Sequence, residues 1–290
     1  MATNTPFGQR LGLVLEGGAM RGIYTAGVLD VFLEAGIMPD VVVGVSAGAL
    51  HGCSYVAGQK GRSIRYYRKY RSDKHFMGLY SLLTTGDVVG TKFCYEDIPL
   101  RLDPFNEAAF EKAPVDFYVT VTNVRTGKPE YILCDELKVG SKMDVIRAGA
   151  SMPLCSKMVE WNGNLYLDGG VSDSIPYAKM KDFGCRKSIA VLTQPAGYLK
   201  QPAAMAPFEA MYRKYPAFVE AMRGRDQMYN TEVCAVEQAA KQGDVFLIRP
   251  SKLLHVGRME HDIEVLNAQY ELGRQDARNQ MDAMREWMER

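Results

Sequence analysis

One serine of the sequence stands in a pattern that can make it a nucleophile. Ser46 is the centre of Gly44-Val45-Ser46-Ala47-Gly48, a Gly-x-Ser-x-Gly pentapeptide. In a nucleophile elbow, small flanking residues allow a sharp strand-to-helix turn, and the turn projects the hydroxyl. The pentapeptide alone is common, so its context has to decide. The alternative is that the glycines only permit a tight turn and that Ser46 caps the helix.

A serine nucleophile also needs a site for the developing oxyanion. The segment Glu16 to Gly22, Glu-Gly-Gly-Ala-Met-Arg-Gly, lies between a predicted strand and a predicted helix. In such a loop several backbone N–H groups and a helix N-terminus can converge on one point. Ala19 breaks the Gly-x-Gly-x-x-Gly pattern of dinucleotide sites, and Gly22 is not followed by the lysine of a phosphate loop. Oxyanion binding is one interpretation, and close packing of a glycine-rich turn is the other.

The base that activates the serine can be a histidine or a carboxylate. Ser46, Asp168 and His255 match the chain order of an α/β-hydrolase triad. That fold places its elbow after several strands, whereas the elbow here follows the second predicted strand, so the triad is disfavoured. His51, one helical turn past Ser46, is expected to be structural. His255 and His261 lie in polar stretches typical of the surface.

Asp168 is the remaining candidate base. It begins Asp168-Gly169-Gly170, directly after a predicted short strand, Asn164 to Leu167. Such a tripeptide is often only a turn. However, a carboxylate within hydrogen-bond reach can take the serine proton without an imidazole. Asp168 is therefore the favoured partner of Ser46.

The elements that must position these groups alternate at the start of the chain. Leu11 to Leu15 predicts a buried strand, and a helix follows that Gly36 ends. Asp40 to Val43 predicts a second strand, broken by Gly44, and Ala47 to Ala57 a helix of small residues. This order predicts a parallel sheet with right-handed crossovers. The three motifs then lie at carboxyl ends of strands, where sites assemble in parallel sheets.

The rest of the chain predicts further elements and a change of composition near residue 194. A final helix carries an apolar stripe, interrupted at Gly273, that is expected to pack on this protein or, alternatively, on a partner helix. The predicted strands are Asp116 to Thr122, Glu130 to Leu133, Ser188 to Thr193 and Val245 to Ile248, and the predicted helices are Ser141 to Ala150, Phe208 to Gly224 and Asp226 to Lys241.

The three motifs, in this order, resemble the patatin-like phospholipase family. The family pattern joins a Gly-Gly-x-Arg/Lys-Gly loop, a Gly-x-Ser-x-Gly elbow and a later Asp-Gly-Gly/Ala, to which residues 17–22, 44–48 and 168–170 are similar. The stretch Arg147 to Pro153 is similar to the family's small-residue helix that ends at proline. The resemblance covers residues 10–195. Jointly ordered, the motifs are far more specific than any one of them.

The resemblance implies an α/β fold, three-layer α/β/α with a mainly parallel central sheet. It implies a catalytic domain over residues 1–200, followed by a mostly helical C-terminal extension over residues 201–290. It also implies a Ser–Asp dyad, with Ser46 as nucleophile and Asp168 as general base. The implied oxyanion hole is formed by Gly17, Gly18, Ala19 and Arg21. The glycines that support the motifs are Gly22, Gly44, Gly48, Gly169 and Gly170.

This chain departs from the family pattern at three places. Ala19 replaces the last glycine of a triplet, and alanine disfavours a positive φ, which predicts altered donor geometry and low turnover. Glu16 stands where aspartate or glycine is usual, and Asp173-Ser174 stands where asparagine is frequent.

Charge and composition exclude other classes of protein. With 35 Lys and Arg against 34 Asp and Glu, the net charge of +1 argues against a nucleic-acid partner. The seven basic residues from Lys60 to Lys74 predict a solvated amphipathic helix or, alternatively, a patch for anionic headgroups. The six cysteines form no Cys-x-x-Cys pair and are expected to be buried free thiols. Met1 to Arg10 lacks the apolar core of a signal peptide, so we expect a cytoplasmic location, with peripheral contact at the inner membrane surface through residues 60–74.

The sequence therefore predicts a serine acyl hydrolase that cleaves fatty-acyl esters through an acyl-enzyme. Its substrate would be a lipid or another acyl ester, and the chemistry requires no metal and no cofactor. The alternative is a non-catalytic lipid-binding or regulatory protein on the same fold. The substrate's headgroup and acyl chain, and the oligomeric state, are left open.

Overall fold

The structure of the chain is a computed structural model that describes residues 6–290, so the first half of the polar stretch Met1 to Arg10 lies outside the described residues. Its strands are β1 (Arg10–Leu15), β2 (Val41–Val45), β3 (Asp116–Asn123), β4 (Pro129–Leu133), β5 (Val159–Trp161), β6 (Asn164–Asp168), β7 (Cys185–Val191) and β8 (Val245–Ile248). Its α-helices are α1 (Ile23–Ala35), α2 (Ala47–Val56), α3 (Arg62–Tyr70), α4 (Leu79–Thr85), α5 (Glu107–Lys112), α6 (Met143–Gly149), α7 (Ala206–Met211), α8 (Pro216–Arg223), α9 (Arg225–Gln242) and α10 (Ile263–Glu289). A π-helical segment spans Phe93–Leu102.

The described strands form one mixed sheet with a parallel centre. The order is β5-β6-β3-β2-β1-β7-β8, and β4 pairs with β3 as a hairpin. The neighbours from β3 to β8 pair in parallel, whereas β4, β6 and β5 are antiparallel to their partners. The strand-helix-strand-helix start and the parallel pairing of β1 with β2 confirm the predicted sheet.

Helices cover both faces of the sheet, because side chains alternate along each strand. Leu13 and Leu15 of β1 face the layer that contains α1, α2, α6 and α10. Val14, between them, faces the layer that contains α9. The three-layer α/β/α fold is therefore confirmed, and β1 and β2, which carry the first two motifs, are buried on both faces.

The stripe of the last helix packs on this protein, as the first of the two sequence interpretations predicts. Helix α10 lies along α1, and the interruption at Gly273 is the closest point of their contact. A Cβ atom added at Gly273 would lie 2.1 Å from the carbonyl oxygen of Tyr24, and one at Gly27 would lie 2.1 Å from that of Tyr270. Two glycines facing each other thus let the two backbones touch.

The region after residue 200 shares the sheet and the core with the region before it. Strand β8 pairs with β7 from Ser188↔Val245 to Val191↔Ile248. Met284 of α10 belongs to the same buried cluster as Phe32 of α1. The division into a catalytic domain and an extension at residue 200 stays a prediction.

Several predicted boundaries differ from the structure. Gly44 does not break β2, which continues to Val45. The helix predicted over Phe208 to Gly224 is two helices, since Tyr215 before Pro216 is not helical (φ −129°, ψ 68°), and a residue preceding proline disfavours the helical conformation. Strand β7 begins at Cys185, three residues before its predicted start.

Two expectations about side chains need correction. Cys234 is exposed, because it lies on the outer face of α9, whereas Cys53, Cys134 and Cys185 are buried as expected. The basic run from Lys60 to Lys74 is not uniformly solvated. Arg62 and Arg71 are buried by their contacts with neighbouring carboxylate and carbonyl groups.

The close contact at Gly273 predicts an unusual sign for a helical substitution. Glycine to alanine in an exposed helix stabilises by about 1 kcal/mol. Gly273→Ala should instead lower the free energy of unfolding by about 1–3 kcal/mol, because the added methyl group meets the backbone of α1. Urea unfolding measures the change. Asn279→Ala, at an exposed position of the same helix, is the control and should stabilise slightly; a stabilised Gly273→Ala variant would contradict the packing described here.

Candidate active site

Two strands end at the same place on one edge of β3. Val45, the last residue of β2, is opposite Thr120, and Asp168, the last residue of β6, is opposite Val121. Strand β4 pairs with residues 118–122 of β3, which overlap both the segment paired with β2 and the segment paired with β6. Strand β4 therefore occupies the opposite edge of β3, and β2 and β6 lie end to end along one edge. The two strands run in opposite directions, and their carboxyl ends meet. Strand β6 is antiparallel to β3, and it carries Asp168 to the same point as the end of β2.

Ser46 occupies the turn between β2 and α2 in a strained conformation. Its φ is +53° and its ψ is −123°, which L-residues rarely adopt. The flanking glycines are needed for close approach: a Cβ atom at Gly44 would lie 2.5 Å from Cα of Ala49, and one at Gly48 would lie 2.4 Å from the carbonyl oxygen of Leu15. This is the geometry of a nucleophile elbow. The Ser46 side chain makes no N-capping hydrogen bond to α2.

The Ser46 hydroxyl donates a hydrogen bond to Asp168. The distance from Oγ to Oδ2 is 2.6 Å, and both side chains are buried. The other oxygen of Asp168, Oδ1, accepts from the backbone N–H of Gly170 at 2.8 Å. Burial raises the pKa of Asp168, while the bond from Ser46 and the charge of Arg225 oppose the rise. A buried, poorly solvated carboxylate that contacts a hydroxyl group is placed to accept the proton of that hydroxyl.

The histidines lie elsewhere. His51 is buried in α2 beside Tyr67, neither ring nitrogen has a hydrogen-bond partner among residues 6–290, and burial lowers its pKa to about 3. It is neutral and structural, as expected. His255 and His261 are exposed. The direct contact of Ser46 with Asp168 leaves no imidazole between them.

The loop after β1 lies against the elbow. Gly17 and Gly18 face Ser46 and Thr193, and no acceptor within the described residues takes their backbone N–H groups. Ala19 has a φ of +48°, so this alanine does adopt the left-handed conformation that the sequence analysis expected it to avoid. The N–H of Arg21 donates to the carbonyl oxygen of Gly18 at 3.1 Å. The amide of Arg21 is therefore not a free oxyanion donor, although Arg21 does line the second of two cavities at Ser46.

Two cavities open at Ser46 and share Ala19 and Met152 as lining residues. The first is mainly apolar; its walls include Leu50, Tyr67, Phe76, Ile98, Met143 and Ile146. The second, called the polar cavity below, has a mixed lining that is more polar than that of the first, and it contains Asp168 together with the loop residues 16–19. A bond attacked by Ser46 would thus have an apolar space on one side and a polar space on the other.

Comparison with known proteins assigns the fold and its motifs to a family. The family model described as patatin-like phospholipase matches residues 13–180, which is more than half of the chain. The chain belongs to the patatin-like phospholipase family. A second model, described as a domain of unknown function (DUF6363), matches residues 215–289 of this patatin-like protein.

This patatin-like protein is similar to two curated relatives and to one solved structure. It is 28% identical over 276 residues to "Uncharacterized protein YjjU" of Escherichia coli (strain K12), a match that covers 91% of this chain and 75% of that protein. It is 30% identical over 189 residues to "Lysophospholipase nte1" of Aspergillus terreus, covering 63% of this chain and only 12% of the relative. Among solved structures, VipD from Legionella pneumophila aligns with 96% of this chain and 67% of its own, at a TM-score of 0.48 and 13% identity.

The patatin-like site is braced by a helix outside the matched family region. Helix α9 supplies Arg225, whose Nε donates to the carbonyl oxygen of Gly170 at 2.5 Å. It also supplies Tyr229, whose hydroxyl donates to Glu16 at 2.9 Å, and Glu232, which accepts from the backbone N–H groups of Ser174 and Ile175. One helix thereby holds both the loop after β1 and the Asp-Gly-Gly turn.

Two departures from the family pattern have structural partners. Glu16 is buried and accepts from the backbone N–H of Thr193 at 2.5 Å as well as from Tyr229. Burial raises its pKa. Asp173 accepts from Tyr131 and lies against Glu232, and burial and this neighbour raise the pKa of Glu232 to about 9, so the two carboxyls favour sharing a proton. Sequence reasoning missed the residues of α9, since no local motif marks them.

Two further properties bear on the site. In the described part of the chain, no three His, Cys, Asp or Glu side chains are grouped as metal ligands would be. Within residues 6–290, no helix combines the length and apolar character that a membrane span requires.

The left-handed conformation of Ala19 predicts the effect of restoring the family's glycine. This conformation costs an L-residue about 1 kcal/mol, which glycine avoids. Ala19→Gly should therefore raise the free energy of unfolding by about 0.5–1 kcal/mol and leave turnover within about threefold, less than 1 kcal/mol in activation free energy. Urea unfolding and ester hydrolysis measure the two effects.

The matched control is Ala235→Gly at an exposed position of α9, which should destabilise by about 1 kcal/mol because its conformation is helical. A rate gain of about tenfold or more in Ala19→Gly, equivalent to 1.4 kcal/mol, would mean that alanine distorts the loop, as the sequence alone suggested.

Proposed function

We propose that this protein is a serine acyl hydrolase that cleaves fatty-acyl lipid esters with a Ser46–Asp168 dyad. The observation that carries the proposal is the 2.6 Å hydrogen bond between the two side chains at the mouth of an apolar cavity. The names of relatives as lysophospholipases support a lipid ester as substrate. A contact at this distance allows direct proton transfer.

The reaction has two steps in this proposal. As the Ser46 oxygen bonds to the carbonyl carbon, its proton moves to Asp168, and the carbonyl oxygen becomes an oxyanion that accepts from the amides of Gly17, Gly18 or Ala19. The intermediate collapses to an acyl-enzyme, and the leaving alcohol takes the proton from Asp168. Water then loses a proton to Asp168 as it attacks the ester carbon, and the fatty acid leaves while Ser46 regains a proton.

The non-catalytic alternative has lost its one supporting feature. That feature was Ala19, which was expected to resist the loop conformation, whereas Ala19 adopts a φ of +48°. Lipid contact remains common to both ideas. A cytoplasmic location, with peripheral membrane contact through the exposed members of residues 60–74, stays a prediction; these are Lys60, Arg65, Arg68, Lys69 and Lys74.

Substitution of the dyad tests the proposal directly. Ser46→Ala should abolish both hydrolysis of a p-nitrophenyl acyl ester and labelling by a fluorophosphonate probe, since both need the hydroxyl. Asp168→Asn preserves the shape and the acceptor for Gly170 but cannot take a proton, so the rate should fall by about 10²–10⁴-fold.

Two matched variants serve as controls for the dyad. Ser251→Ala and Asp182→Asn alter exposed residues outside both cavities and should retain wild-type rates and labelling. Persistent hydrolysis by a folded Ser46→Ala protein, or probe adducts on another residue in peptide mapping, would refute the assignment. A loss of activity in His255→Ala comparable to that in Asp168→Asn would favour the histidine triad instead.

The pH dependence follows from the state that Asp168 must have. The base acts only when ionised, and burial raises its pKa above the ordinary value of 3.8. The logarithm of kcat/KM should therefore rise with pH, with a slope of one, through an apparent pKa higher than that of an ordinary aspartate, and reach a plateau. Hydrolysis of a neutral acyl ester between about pH 4 and about pH 8 measures this limb. A rate that stays constant over that range would contradict Asp168 as the base.

A further inference from the structure

The polar cavity beside Ser46 is lined by a group of basic side chains. They are Arg21 from the oxyanion loop and three residues from beyond the matched family region, Lys200, Arg225 and Arg258. None of the four forms an ion pair with a carboxylate in the described part of the chain. The four basic side chains thus line the same cavity without being paired with any carboxylate that the structure describes.

Lys200 and Arg225 contact neutral groups, which do not cancel the positive charge of these side chains. Nζ of Lys200 lies 4.1 Å from the centroid of the Tyr229 ring, a cation–π contact. Nε of Arg225 binds the carbonyl oxygen of Gly170, and Nε of Arg21 is buried without any hydrogen-bond partner among residues 6–290. Burial and the nearby charge of Arg225 lower the pKa of Lys200 to about 8, which is the effect that crowded cations have on one another.

The carboxyl groups that face this cavity do not neutralise it. Glu16 accepts hydrogen bonds from Thr193 and Tyr229, and burial raises its pKa towards the uncharged form. Asp168 is bound to Ser46 and to the N–H of Gly170. Four cations therefore face at most two carboxylates, and the cavity favours an anion.

Other residues hold the basic groups in place around the cavity. Asn230 of α9 accepts from the backbone N–H of Lys200 at 2.9 Å and donates to its carbonyl oxygen at 3.1 Å. The buried guanidinium of Arg71 donates to the carbonyl oxygens of Met259 and Glu260, at 2.8 and 2.7 Å. The loop that carries Arg258 is thus tied to the body of the protein beside the site.

We propose that the polar cavity binds the phosphate group of the lipid substrate, and that Lys200, Arg225 and Arg258 with Arg21 form this subsite. The inference rests on the proposed hydrolase function and adds to it. Guanidinium and ammonium groups together match the oxygens of a phosphate ester. A phosphate lies only a few bonds from the acyl ester in a glycerophospholipid, so a substrate with its acyl chain in the apolar cavity places its phosphate in the polar one.

This assignment gives the region after residue 195 a function. Lys200, Arg225 and Arg258 would select substrates by their headgroup, while the matched family region supplies the nucleophile, the base and the apolar cavity. The same chemistry would also bind free glycerol phosphate, the product of complete deacylation of a simple phospholipid.

The test uses the whole 290-residue chain and compares two substrates with the same short acyl group, a lysophosphatidic acid and a monoacylglycerol. In the variant Lys200→Gln/Arg258→Gln the ratio of kcat/KM for the phosphate substrate to that for the neutral one should fall by about tenfold or more, mainly through KM, because ionic hydrogen bonds to phosphate are lost. Lys252→Gln, an exposed lysine of the Arg258 loop that does not line the cavity, should leave both values unchanged. An unaltered ratio in the double variant would overturn the subsite.

Direct binding separates the subsite from catalysis. Calorimetry with glycerol phosphate and the Ser46→Ala protein should detect binding that weakens about tenfold or more when Lys200→Gln and Arg258→Gln are added. Absence of binding by the folded Ser46→Ala protein overturns the subsite, even if a p-nitrophenyl ester is hydrolysed normally by the wild type. Binding in this assay, combined with no Ser46-dependent hydrolysis of any ester, would refute the hydrolase and retain the anion site.

Discussion

The site depends on one constraint of the sheet, which is that β2 and β6 end at the same point on one edge of β3. The registers Val45↔Thr120 and Val121↔Asp168 leave the distance of a single hydrogen bond between the residue that follows β2 and the residue that ends β6. A shift of either register by one residue would turn the side chains to the opposite face of the sheet. The buried apolar residues on both faces of these strands oppose such a shift, so the core itself fixes the contact between Ser46 and Asp168.

Helix α9, in the second part of the chain, holds two loops of the candidate site in place. Helix α9 contacts the loop after β1 through Tyr229 and Glu16, and it contacts the turn after β6 through Arg225 and Gly170. Both loops carry strained or glycine-rich backbone, which persists only where the surroundings hold it. Buried hydrogen bonds that join a helix to two loops provide that support. The region after residue 200 is thus structurally part of the site, whatever its boundary with the first region.

The sequence was sufficient to predict Ser46, Asp168 and the first four elements, because each depends on a local pattern. The elbow needs only Gly44, Ser46 and Gly48 between a strand and a helix. The direction of β6 was not predictable, since a short strand with no crossover helix carries no signal for parallel or antiparallel pairing. The burial of Arg71 was not predictable, because a run of basic residues is typical of a solvent-exposed surface. Lys200 and Arg258 could not be placed, because only the tertiary fold brings residues so distant in sequence to the oxyanion loop.

The glycine contact between α1 and α10 has a consequence for how the protein is made. Tyr24 and Gly273 touch although they are 249 positions apart in the chain. Helix α1 follows directly from the oxyanion loop, and its outer face finds its cover only when the ribosome has released α10. Such a distant contact is slow to form and leaves apolar surface open meanwhile. A nascent chain that already contains the elbow and the Asp-Gly-Gly turn therefore still lacks this packing, so the candidate site would not be fully assembled before translation has passed the last helix.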